Sequence, residues 1–92
     1  MNETRIKFVD DERSTTVHLE SSRTGGVIAP LVDELSRLGL TVQHMESRTN
    51  QGLRIERLVV TEPYDVPLGA PRIAALKAAV FGAVERAGSY AA

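Results

Sequence analysis

The stretch of this 92-residue sequence whose residue types could best hold a ligand is Arg23-Thr24-Gly25-Gly26-Val27-Ile28. A β-type run over residues 15–20 ends just before it, and an apolar stripe at helical spacing begins at its end. Two glycines let a backbone turn tightly, and the first N–H groups of the helix that follows have no partner inside that helix. With the positive end of the helix dipole behind them and the Arg23 cation alongside, such N–H groups form a receptor for a carboxylate or phosphate. Glycines at a strand-to-helix junction also serve simply to turn the chain, and a short glycine motif does not separate the two uses. The remaining reactive residue types are scattered. His18 and His44 are the only histidines, each inside a strand pattern, and no spacing ties them to a serine nucleophile or a metal-ligand set. Asp10, Asp11 and Glu12 form the one acidic run, placed where carboxylates serve turn chemistry. Without cysteine the chain has no disulfide, no thiol nucleophile and no thiolate metal site. The sequence therefore reads as non-catalytic, with no cofactor and no metal.

Composition narrows the partners. A formal net charge of -1 gives no electrostatic footprint for nucleic acid or an anionic membrane. No apolar run approaches the length of a membrane span, and the polar opening Met1-Asn2-Glu3-Thr4-Arg5 is unlike a signal peptide, so a cytoplasmic protein is expected. The length suits a single domain, taken as 1–88 with a short tail at 89–92. A domain this small buries only somewhat more than ~60% of its chain surface, which favours association.

The elements that must position the glycine turn follow from periodicity. Residues 5–9 alternate as a short strand, residues 10–14 form a polar turn, and in residues 15–20 Val17 and Leu19 share one face while His18 and Glu20 share the other. From 27 to 38, Ile28, Leu31, Val32, Leu35 and Leu38 recur at helical spacing, with Asp33, Glu34 and Arg37 opposite. Pro30 lacks an N–H and belongs near the helix start; Gly39 supplies the stop. Residues 40–48 read as a strand carrying Val42 and Met45, Asn50-Gln51-Gly52 as a turn, and residues 53–62 as the strongest strand of the chain. After a proline-containing loop, a second helix begins near Pro71, buries Ile73, Leu76, Val80, Ala83, Val84 and Ala87, and is expected to end at Gly88. Gly82 within it costs ~1 kcal/mol relative to alanine, which suggests a close contact that a side chain would block.

The order strand, strand, helix, strand, strand, helix predicts an α+β fold: a ferredoxin-like two-layer sandwich, ββαββα, with a four-stranded antiparallel sheet and both helices on one face. The usual last strand of that arrangement is missing. The N-terminal strand, folded back on residues 15–20 as a hairpin, can fill its slot with the same polarity.

These segments resemble an ACT domain and, more closely, the C-terminal sensory ACT domains of nitrogen-regulatory uridylyltransferase/uridylyl-removing enzymes. Thr15-Thr16-Val17-His18-Leu19 is similar to the family's opening strand, and Gly26-Val27-Ile28 stands where Gly-Leu-Leu usually begins the helix. Leu35-Ser36-Arg37-Leu38-Gly39-Leu40-Thr41-Val42 resembles the helix-to-strand junction, Val59-Val60-Thr61-Glu62 the apolar-apolar-Thr-Asp ending, and Arg72-Ile73-Ala74-Ala75-Leu76 the Arg-Leu-x-x-Leu second helix. The likeness runs without a gap from 15 to 62. It departs where Arg23-Thr24-Gly25-Gly26 replaces the family's Asp-Arg-Pro-Gly and where Thr41 replaces a common asparagine. The resemblance implies a regulatory module that binds a small molecule, usually an amino acid, at a homodimer interface. Its ligand-binding candidates are Arg23, Thr24, Gly25, Gly26, Val27 and Ile28 from one protomer with Thr41, Val42 and Gln43 from the second, and regulation would act in trans on a protein partner.

Two other uses of such a sheet are disfavoured. RRM-type RNA recognition needs aromatics on the central strands, and residues 53–62 have none; an acylphosphatase would need an arginine and a surrounding pattern that the glycine turn lacks. The alternative from a different class is a protein–protein interaction or dimerisation module without a ligand. It would use the edge strand 40–48 or an apolar stripe, Leu53, Ile55 and Val59, on the helix-free face.

Overall fold

A computed structural model describes residues 4–21 and 27–90, so Arg23, Thr24, Gly25 and Gly26 of the predicted turn lie outside the described residues. The chain order is β1 (Thr4–Asp10), β2 (Thr15–Ser21), α1 (Ile28–Arg37), β3 (Thr41–Asn50), β4 (Leu53–Thr61), a one-turn 3-10 segment (Pro63–Asp65) and α2 (Ala70–Tyr90). The strands form one antiparallel sheet in the order β1-β2-β4-β3, with both helices on one face. This is the predicted ferredoxin-like ββαββα sandwich, consistent in general with an ACT-like fold.

β1 fills the expected slot. It pairs with β2 from Thr4↔Ser21 to Asp10↔Thr15, and Ile6 and Phe8 turn inward against the core. The acidic turn does the backbone work its residue types suggest. Asp11 Oδ1 accepts the N–H groups of Arg13 at 2.7 Å and Ser14 at 2.9 Å, and Asp10 Oδ1 accepts the Thr15 hydroxyl at 3.0 Å.

The core lies between the sheet and the helices. Val17, Leu58 and Val60 from the sheet, Leu31 and Leu35 from α1, and Leu76, Val80 and Ala83 from α2 are completely buried. Pro30 sits in the first turn of α1, where its missing N–H costs no helical bond. Gly39 ends that helix as predicted: with φ +76° it lets its own N–H reach Ser36 O at 3.0 Å and the Leu40 N–H reach Leu35 O at 2.9 Å. That is a Schellman motif, and its apolar pair, Leu35 and Leu40, is buried. Arg72 then ties three element ends together. Its guanidinium donates to both oxygens of Glu62 at 2.8 and 3.2 Å and to the Leu38 carbonyl at 2.5 Å.

Four expectations are corrected. β3 starts at Thr41 and runs to Asn50 rather than ending at 48, because the turn needs only Gln51 and Gly52. Their φ angles of 51° and 81° match the right-handed twist of a two-residue hairpin. β4 stops at Thr61, one residue short of the expected 62. α2 does not stop at Gly88 but continues to Tyr90, since a glycine ends a helix only where the backbone turns left-handed. Gly82 meets no close neighbour, because an added Cβ there would find only the Arg86 guanidinium, at an ordinary 3.8 Å.

Candidate functional site

The alternation of β4 decides what faces the helices. Leu58 and Val60 point into the core, so two and four residues earlier Glu56 and Arg54 also point to the helix side. There α1 covers the sheet incompletely and leaves an open cavity of about 770 Å³. Val27, Ile28 and Val32 form its α1 wall, Leu19 and Met45 its apolar flanks, and Arg54 with Glu56 its charged part. Asp33, on the rim, is engaged by Arg37 at 3.0 Å.

Glu56 is the unusual residue of this cavity. Its side chain is only 7% exposed, one carboxylate oxygen accepts from Arg54 Nε, and the other, Oε2, has no partner among the described residues. An ionised oxygen held away from water without a donor is costly. The Arg54 side chain is 37% exposed.

Of the predicted site residues, Val27 and Ile28 stand together on the wall of this cavity. Val27 is the N-cap of α1 and supplies no side-chain hydrogen bond to the helix end, and the first turn carries no acidic residue. Thr41, Val42 and Gln43 do not line the cavity. Thr41 opens β3 opposite Thr61, Val42 packs against the core, and Gln43 is the extra residue of a β-bulge between Val42 and His44. The Gln43 amide nitrogen donates to Thr61 Oγ1 at 3.0 Å and to Asp65 Oδ1 at 2.6 Å, which pins the bulge to the segment after β4. Within one protomer Thr41, Val42 and Gln43 thus stand outside the cavity that Val27 and Ile28 line.

The ion pairs outside the cavity serve the scaffold. His44 and Arg57 flank Glu46 on the helix-free face at 2.7 and 3.6 Å. The hydrogen bond from His44, then the charges of Arg57 and Arg48, holds the Glu46 carboxyl below the usual carboxylate range. Its Glu62 partner raises Arg72 further above the ordinary arginine value. Among the described residues no group of three or more His, Asp or Glu side chains is placed to hold a metal ion, and no helix is long and apolar enough to cross a membrane.

Arg54, Glu56 and Met45 are the cavity residues that the glycine-turn reasoning missed. The signal was available: two charged residues in register with Leu58 and Val60 occupy positions where β4 should be apolar. Compared with protein-family models, curated proteins and solved structures, the chain matches none of them.

Proposed function

We propose that this protein is a non-catalytic regulatory domain that binds a small molecule, an amino acid, at a homodimer interface and acts on a protein partner in trans. The observation that carries this reading is an apolar-walled cavity beside the start of α1, whose N-cap Val27 supplies no side-chain hydrogen bond, in a sandwich of the ferredoxin-like type. The resemblance of residues 15–62 to sensory ACT domains of uridylyltransferase/uridylyl-removing enzymes supports the same choice of ligand. Arg23, Thr24, Gly25, Gly26, Val27 and Ile28 supply the carboxylate side, and Thr41, Val42 and Gln43 come from the second protomer. Because the Gln43 N–H groups are engaged within the chain, the group Gln43 offers across the interface is its amide oxygen.

Energetics explain why two protomers are needed. A charge-assisted hydrogen bond to a ligand carboxylate contributes ~1.5–3 kcal/mol, and the helix dipole adds up to ~2 kcal/mol. Millimolar to micromolar binding requires about 4–8 kcal/mol net, after ordering costs. One helix end falls short. A thermal-shift screen of the common amino acids, with light scattering on the same samples, tests the reading. At least one amino acid should raise the melting temperature, and Gly26→Val should abolish the rise while leaving the dimer intact. If no amino acid or small carboxylate binds at millimolar concentration by calorimetry, the sensor reading fails.

The second reading, a ligand-free interaction module, is favoured by the helix-free face. Leu53, Ile55 and Val59 lie there only half-buried, around Arg57. A dimer that ignores every amino acid would select this reading.

A further inference from the structure

We propose that Arg54 and Glu56 form the head-group subsite for a zwitterionic ligand within a single protomer, and that the ligand is an α-amino acid with an apolar side chain. This inference rests on the choice of ligand in the sensor reading, an amino acid beside the start of α1, and departs from it by taking the head-group contacts from one protomer instead of two. Three observations carry it. Glu56 Oε2 is buried and lacks a donor among the described residues, which an ammonium group would supply. Among the described residues Arg54 engages Glu56 through Nε and its terminal nitrogens have no acceptor, which leaves them for a carboxylate. Beside both, Val27, Ile28, Val32 and Met45 offer an apolar wall, in a cavity whose size suits a small ligand. Glu56 is buried while Arg54 is partly exposed, so the ammonium contact outweighs the carboxylate one.

Oε2 has almost no solvent-accessible surface. The terminal torsion of a glutamate is broad, so a modest rotation about it turns an oxygen outward. Arg54 and Met45, 49% exposed, have room to give way.

The test uses calorimetry with leucine, isoleucine, valine, methionine and phenylalanine on the full chain, with the Glu56→Gln and Glu56→Met variants. Controls are 3-methylbutylamine and 4-methylpentanoate, which keep one head group each. At least one of these amino acids should bind the wild type, the amine should bind more weakly, and the acid should not bind. Glu56→Gln should weaken the amino acid roughly tenfold or more. Glu56→Met should raise the melting temperature of the ligand-free protein by about 4 °C or more, because it removes a buried carboxylate oxygen that lacks a donor among the described residues. Equal binding to wild type and Glu56→Gln, acid binding as well as amino acid, or a lower melting temperature in Glu56→Met overturns the subsite while leaving the sensor reading standing. No binding by any amino acid overturns both.

Discussion

Asp11 shows how a charged side chain can be fully accounted for by the backbone it holds. Its carboxyl lies below the ordinary value of 3.8 chiefly because the N–H groups of Arg13 and Ser14 bond to its charged form. A carboxyl depressed in the folded state binds a proton less readily there than in the unfolded chain. Its stabilisation is therefore complete above the ordinary value and is lost as pH falls through the lower folded one. Asp11→Ala should accordingly lower the melting temperature at neutral pH, and the gap to wild type should close as pH falls through the depressed folded value. A gap that stayed constant across that range would mean the turn does not depend on the ionised form. Glu56 is the contrasting case, since nothing among the described residues satisfies its second oxygen. The difference was legible in part. The Asp10-Asp11-Glu12 run announces a turn by composition, whereas Glu56 becomes unusual only once Leu58 and Val60 fix which face of β4 is inward. The partner it takes, Arg54, and the gap that α1 leaves above it depend on three-dimensional packing and cannot be read from spacing.

At the scale of elements, periodicity was a good guide wherever one face is buried. α1 and β4 each have a wet and a dry side, and both appear where the pattern of Leu31, Leu35, Leu58 and Val60 puts them. β3 is an edge strand exposed over most of its length, so its pattern is weak, and neither its far end nor the Gln43 bulge could be inferred from it. α2 likewise ran past a glycine that composition alone made look like a stop. The glycine that does stop a helix is Gly39, held at φ +76° in a Schellman motif. Gly39→Ala should cost about 1–2 kcal/mol in a denaturant titration, the penalty of a left-handed L-residue; an unchanged midpoint would show that the turn can relax. β1 tests the sheet more severely. It supplies Ile6 and Phe8 to the core, with Phe8 against Phe81 at 6.1 Å between ring centres and Lys77 over its ring. Removing residues 1–9 strips this layer and bares the β2 edge, so the truncated chain should unfold or aggregate. Melting at the wild-type temperature would refute the assigned role of β1.

At the scale of the whole molecule, size argues for a partner, since a domain this small buries a limited share of its chain surface. Two surfaces compete to supply an interface. The β3 edge has free strand geometry, but it is bulged at Gln43 and carries Glu46 and Arg48, features with which proteins discourage edge pairing. The helix-free face presents Leu53, Ile55 and Val59, and a two-fold axis through it would bury this stripe against its own copy. That face spans about 19 Å across four strands and ~23 Å along seven residues, so a face-to-face dimer is small and should dissociate on dilution. Light scattering coupled to gel filtration should therefore give about twice the 10.0 kDa chain mass at high concentration. Ile55→Asp should shift the equilibrium to monomer without unfolding the chain, because Ile55 lies outside the core cluster. If a bound amino acid is shared across the interface, ligand and dimer must stabilise each other by linkage. Ile55→Asp should then weaken amino-acid binding as well, and adding the amino acid should sharpen dimerisation of the wild type. If the ligand is held within one protomer at Arg54 and Glu56, Ile55→Asp should leave its affinity unchanged. A monomer at every concentration, with or without amino acids, would remove the interface from both readings.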